Sequence, residues 1–254
     1  MNIDLNKAQK EFLNYTQQYN LKNENIKRKQ QHSLRVMNIS KEIATKLKLT
    51  QEDIDLATLI GLLHDIARFE QYTQFQTFKD LESFDHGDYG IKILEKDIRK
   101  YVETDKYDDI IKIAIKNHNK YQIEEGLKDK ELLFAKIIRD ADKLDILYEA
   151  VEMFWNGIES QINSSKISEK ILLQFKNNKL IKREKNRSNV ENIDSVISVI
   201  AFIFDINFKE SFEILEKEDY INRTLDRFDF EDKETKINIE EIRNIANIYI
   251  KNNI

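Results

Sequence analysis

The chain reads as an all-α protein, and three observations lead there. It has no proline, it has only five glycines, and its apolar residues recur at steps of three and four over long stretches. Sheets and long loops ordinarily need proline and glycine as punctuation, so their scarcity favours helices joined by short polar turns. The expected organisation is a helical bundle over residues 1–155, followed by a C-terminal helical extension over 156–254 packed on the same core.

Taken in order, the first clear element runs from 26 to 47, where His32, Val36, Ile39, Ile43 and Leu47 share one helical face. Thr50 followed by Asp53 resembles a capping box and opens a helix over 51–67. The segment 69–85, FEQYTQFQTFKDLESFD, has no clean period and reads as an ordered aromatic loop. Helices follow at 87–102, 107–118 and 130–155. Beyond 156 the pattern weakens, until Ser188 and Glu191 give a second capping signature ahead of the apolar run VISVIAFIF. Shorter helices at 207–216 and 218–227 and a last one at 238–252 complete the chain.

Composition narrows the function. Charged residues make up 34% with a net charge of −5, which argues against a protein devoted to a nucleic-acid polymer. There are no cysteines, so a metal site must be built from histidine and carboxylate. The N-terminus lacks the apolar core of a signal peptide and no apolar run reaches spanning length, so a cytoplasmic protein without a membrane partner is expected.

All four histidines, His32, His64, His86 and His118, fall in the first half of the chain. His32 lies in the apolar stripe of its helix, His64 ends the apolar run IDLATLIGLL, and His118 continues the stripe Ile111, Ala114, Ile115. Each is expected to face inward. Downstream, IIRDADKLDIL offers three aspartates that the helical period separates. Asp142 aligns with Ala135, Ile138 and Ile146 and should point inward, with Asp145 one turn beyond it. Asp140 shares a column with Lys136 and Lys143 and should point outward. Any one inward histidine is more often a hydrogen-bonded core residue than a ligand. All four on converging faces, with two inward carboxylates, favour a bound ion of Mn, Fe, Ni, Co or Zn. Adjacent helical residues project about 100° apart, so His64 can serve one ion while Asp65 leans toward a second or bridges both. Gly61, Gly87 and Gly90 cluster at these motifs and permit close approach.

These residues carry a resemblance. His32 in HSLRV, His64–Asp65 in LLHDIAR and Asp142 in RDADKLD resemble the H…HD…D signature of the HD superfamily of metal-dependent phosphohydrolases. His86 in DHGDYG and His118 in IKNHNKY match the extended H…HD…H…H…D pattern of its two-metal members. The likeness covers about residues 26–155, and it makes the bundle an HD-domain one. It implies that His32, His64, Asp65 and Asp142 hold one ion and that Asp65 bridges to a second held by His86 and His118. Arg68 stands where many relatives have a lysine and is the candidate to contact a phosphate. Ala67 replaces the usual glycine, and no GYP motif is present.

The resemblance implies hydrolysis of a phosphate ester or phosphoanhydride by a metal-activated water, with Asp65 and Arg68 as catalytic residues. The expected partner is a small phosphorylated metabolite, a nucleotide among the candidates. Arg68 suits a phosphate because its planar fork matches two oxygens. Lys143, beside Asp142, and Lys120, after His118, are weaker substrate-binding candidates. The basic runs IKRKQQH and KLIKREKNR can draw anions toward a site but usually form solvated faces. The aromatics Phe69, Tyr72, Phe75 and Phe78 can wall a pocket or pack the loop on the core. Two other readings share the ligand set: a di-iron oxygenase of the myo-inositol oxygenase type, and a module that senses a nucleotide without turnover. The C-terminal helices either cover the bundle or form a homodimer surface.

Overall fold

The structure, a computed structural model, describes residues 3–181 and 192–254, and every secondary-structure element among them is helical. The chain divides into two compact units, Met1–Asp142 and Lys143–Ile254.

The first unit opens with α1 (Leu5–Thr16), α2 (Glu24–Lys46) and α3 (Gln51–Leu63). Asn23 starts α2 by accepting from the backbone N–H groups of Asn25 and Ile26, and Glu24 places an acid in its first turn. Its buried face, Ile26, Lys29, His32, Ser33, Val36, Ser40, Ile43 and Ala44, follows the expected three–four period. The Thr50 cap of α3 is formed: its hydroxyl accepts from the Asp53 N–H at 3.2 Å and lies 2.9 Å from the Asp53 carboxylate. Every residue of α3 from Leu56 to Leu63 is buried, so this is the central helix, with α2 laid along it.

Gly61 sets how closely the two helices approach. A β-carbon there would lie 2.9 Å from the Val36 carbonyl oxygen and 3.0 Å from Met37 Cα, backbone atoms that cannot swing away. This contact brings the inward face of α2, and His32 with it, against the end of α3.

The expected helix over 51–67 stops earlier, at Leu63. Beyond that point the chain tightens: the Ile66 N–H donates to the Leu63 carbonyl and the Arg68 N–H to the Asp65 carbonyl, each a three-residue step. The His64 ring itself bonds the Gly61 carbonyl at 2.8 Å. The pair His64–Asp65 therefore sits in a short link, and the chain re-enters a helix at once. The segment 69–85, expected as a loop, contains α4 (Arg68–Phe75) and a single tight turn at Asp80–Glu82. Only Phe69 and Gln71 of α4 are buried, too few to produce a legible apolar stripe.

Next come α5 (His86–Tyr101) and α6 (Asp108–His118), which pack on one another. Asp85 caps α5 by accepting from the Asp88 N–H, which makes His86 its first residue. Helix α7 (Asp129–Glu152) then supplies Asp142. Asp140, expected to face outward, is fully buried. Arg139, Asp140 and Ala141 are all buried in succession, so α7 has no solvent column at this level and the polar column drawn through Asp140 does not exist.

In the second unit, α7 is followed by α8 (Glu159–Asn163), α9 (Glu169–Lys176), α10 (Ile193–Ile200), α11 (Lys209–Glu218), α12 (Tyr220–Leu225) and α13 (Lys233–Asn252). Helix α13 packs on α9, α11 and α12, and the rings of Phe175, Phe204, Phe212 and Tyr249 meet edge to face inside this group. It begins five residues before the expected 238, because Asp232 rather than Asn238 is its cap. Asn192 caps α10 by accepting from the Ser195 N–H, while the cap expected from Ser188 and Glu191 lies outside the described residues. No described helix is long and apolar enough to cross a membrane.

Replacing Gly61 by alanine should destabilise the protein by about 1–3 kcal/mol, because the clash with α2 backbone outweighs the gain in helix propensity. A urea midpoint equal to or above that of the wild type would show that α2 yields.

Candidate metal centre

Four helices and one link aim six side chains at a common point. His32 comes from the buried face of α2, His64 and Asp65 from the link after α3, His86 from the first position of α5, His118 from the last position of α6, and Asp142 from α7. All four histidines and Asp65 are buried.

They form two groups that share Asp65. In the first, His32 Nε2 lies 3.2 Å from His64 Nε2, 3.1 Å from Asp142 Oδ1 and 3.4 Å from Asp65 Oδ2. His64 Nε2 is 3.6 Å from each of those two oxygens. In the second, His86 Nε2 is 3.0 Å from His118 Nε2, and the two nitrogens lie 3.4 and 3.6 Å from Asp65 Oδ1. One carboxylate thus turns one oxygen to each group.

Hydrogen bonding fixes what these nitrogens offer. His64 Nδ1 can only donate to the Gly61 carbonyl, and His118 Nδ1 only to the Ile115 carbonyl at 2.6 Å. His86 Nδ1 donates to Asp80 Oδ2 at 2.6 Å. In a neutral ring the other nitrogen is then a bare lone pair. His86 and His118 therefore point two lone pairs at each other across 3.0 Å, with the Asp65 carboxylate beside them. Such an arrangement is repulsive unless a cation lies among the donors. The spacing fits one: metal–ligand bonds of about 2.1 Å place neighbouring ligand atoms about 3.0–3.4 Å apart. The donor set of imidazole and carboxylate without thiolate suits divalent transition ions. His32, His64 and Asp142, and also His64, Asp65 and His118, have ligand atoms close enough to share an ion.

The protonation states suit the same role. Burial pushes His64 down from its ordinary value, and burial with the Arg68 charge pushes His86 down to about 4, so both rings are neutral near pH 7. Burial works against an ionised Asp65, but Lys29, His64 and Arg68 outweigh it and hold the carboxyl well below its usual range. Asp142 behaves alike, burial being outweighed by His32 and His64.

Several residues around this centre were not singled out from sequence. Lys29 Nζ contacts Asp65 Oδ2 at 2.9 Å and lies 5.5 Å over the Phe78 ring. Its signal was available, since it stands one turn before His32 on the same face. Asp80 and Asn119 gave none, because neither belongs to a periodic apolar pattern. Arg139 is fully buried and donates to the carbonyls of Asn117 at 2.8 Å and Lys120 at 2.6 Å. It thereby satisfies carbonyls that the end of α6 leaves without helical partners, and so fixes His118.

The expected substrate-binding residues lie in different surroundings. Arg68 borders the centre, with Nε 3.3 Å from Asp65 Oδ1, while its Nη1 donates to Gln71 Oε1, the Phe78 carbonyl and Asp80 Oδ1. Lys120 pairs with Asp85 at 2.6 Å and Asp88 at 3.0 Å. Lys143 is buried and pairs with Asp205 at 2.8 Å. Phe69 packs against Phe12, Tyr15 and Tyr19, and Phe78 against Tyr72.

In a comparison with protein families, the model of the HD domain aligns with residues 30–147. This stretch of the chain matches the HD domain. The matched span contains all six converging side chains, so the H…HD…H…H…D reading and the helical bundle agree with it. HD domains bind divalent metals and characterise a superfamily of metal-dependent phosphohydrolases. Searches of curated proteins and of solved structures returned no match.

Acid should destabilise the metal-free protein. Between about pH 6.5 and about 4 the unfolded chain protonates a histidine that folded His86 leaves neutral, so stability falls with pH across that window. Below pH 3.8 the depressed carboxyls of Asp65, Asp80 and Asp142 extend the loss. Thermal unfolding in chelator from pH 7 to pH 3 measures this; a flat profile between pH 6.5 and 4 would show that His86 is not held neutral.

Proposed function

We propose that this HD-domain protein is a two-ion phosphohydrolase that cleaves a phosphate ester or phosphoanhydride of a small phosphorylated metabolite, a nucleotide being the first class to test. The observation that carries the reading is Asp65, whose two oxygens face the His32–His64–Asp142 group and the His86–His118 group respectively. Divalent ions in such a frame act as Lewis acids and make water a nucleophile near neutral pH.

The remaining roles fall to the chain itself. His32, His64 and Asp142 would hold one ion, His86 and His118 the other, and Asp65 would serve both. Hydrogen bonds through Nδ1 lock the rings of His64, His86 and His118, so their Nε2 lone pairs stay aimed inward. Arg68 and Lys29 flank the shared carboxylate with positive charge, which suits an anionic substrate better than the polyol of an inositol oxygenase. The planar Arg68 guanidinium borders the shared carboxylate and is the group placed to meet a phosphoryl oxygen. Phe78 gathers this charge, since the cationic groups of Arg28, Lys29 and Arg68 all lie within 5.8 Å of its ring.

Two measurements test the proposal. Phosphate or pyrophosphate release should appear in a screen of nucleotides and sugar phosphates with Mn, Fe, Co or Ni. Oxygen consumption with a polyol and no phosphate release would transfer the site to oxygenase chemistry. Tight nucleotide binding without product would make it a sensor. Asp65→Ala should abolish turnover and remove an ion, whereas Arg68→Ala should impair substrate handling while leaving metal content intact. Full turnover with two ions in the Asp65 variant would refute the shared-ligand assignment.

A further inference from the structure

Asp80 belongs to the tight turn after α4 and lies outside the six converging side chains, yet its carboxylate is fully engaged. Oδ2 accepts from His86 Nδ1 at 2.6 Å and from Asn119 Nδ2 at 3.1 Å. Oδ1 accepts from Arg68 Nη1 at 3.0 Å and Gln71 Nε2 at 2.9 Å. An ionised carboxylate has about four accepting positions, so none is left for an ion. Two of these partners lead to the same place. His86 is itself aimed at the second group, and Arg68 holds Asp65 Oδ1, the oxygen that faces that group. Asp80 bonds neither His64 nor Asp142 of the first group: His64 is oriented by a backbone carbonyl, and Asp142 stands on its own helix.

We propose that Asp80 is a positioning residue that sets the occupancy of the His86–His118 site independently of the His32–His64–Asp142 site. The inference rests on the two-ion reading above. A carboxylate accepting from the far nitrogen of a ligand histidine fixes the ring and raises the basicity of the coordinating nitrogen, and losing such a partner typically weakens metal affinity 10–100-fold. Two ions should therefore load, and only the one at the His86–His118 site should respond to residue 80.

The test is a titration of the full-length protein with Co²⁺ and with Mn²⁺, read by calorimetry and by elemental analysis after desalting. Three variants accompany it: Asp80→Asn, close in shape; Asp80→Ala; and Gln71→Ala, which loosens the same turn without touching His86. The wild type should bind two ions. Both Asp80 variants should bind the first with unchanged affinity and the second about 10–100-fold more weakly, while Gln71→Ala should change the second step several-fold less. Equal weakening of both steps, no change in either, or a Gln71→Ala effect as large as that of Asp80→Asn would overturn the inference. A wild type that binds fewer than two ions would instead remove the two-ion reading, and the inference with it.

Discussion

Asp65 is a carboxylate almost wholly removed from water, and an ion in that position costs several kcal/mol unless its surroundings compensate. Lys29 and Arg68 supply part of the compensation from opposite sides, one on each oxygen. Four imidazole nitrogens supply a further set of groups that favour positive charge among them. Much of the first unit can be understood as the scaffold that brings these groups to one carboxylate. The close contact at Gly61 seats α2 on α3, the tight link turns His64 and Asp65, the Asp85 cap sets His86 at the start of α5, and Arg139 holds the end of α6 at His118.

Placing ligands at helix ends and links has a physical rationale. In the middle of a helix a side chain's direction is tied to its neighbours by the period, and adjacent residues project about 100° apart. Past Leu63 that constraint relaxes, so His64 and Asp65 can both reach the centre. At the first position of α5 and the last of α6, the rings emerge where the backbone itself is turning. Precision is then restored by hydrogen bonds to the far ring nitrogens, from carbonyls for His64 and His118 and from a carboxylate for His86.

The helical class and the inward side of His32 and Asp142 were legible from short-range rules, namely apolar period, capping residues and the scarcity of proline and glycine, while the full set of six rests on its likeness to the H…HD…H…H…D pattern. The capping box at Thr50 and the inward face of α2 needed nothing beyond the local pattern. What escaped depends on tertiary contacts. Helix α4 has two buried residues and gives no stripe, and the turn carrying Asp80 is held by side-chain bonds to Arg68, Gln71 and His86 that no period encodes. Asp140 departs from its expected outward side because α7 is buried there on several sides, which the polar column through Lys136 and Lys143 does not reveal. Asn119 and Arg139 were invisible for a related reason, since their partners are groups at a helix end more than a dozen residues distant in sequence.

Arg139 stands one turn ahead of Asp142 on α7 and grips the backbone at the close of α6, where His118 sits. The same helix thus contributes a ligand to one half of the centre and clamps the platform of a ligand in the other. A rotation or slide of α7 would disturb both halves together, by pulling on Asp142 directly and on His118 through a guanidinium tether. Because the tether ends on backbone carbonyls, which every residue type carries, the link between the two halves depends on the guanidinium of residue 139 and not on the side chains it grips.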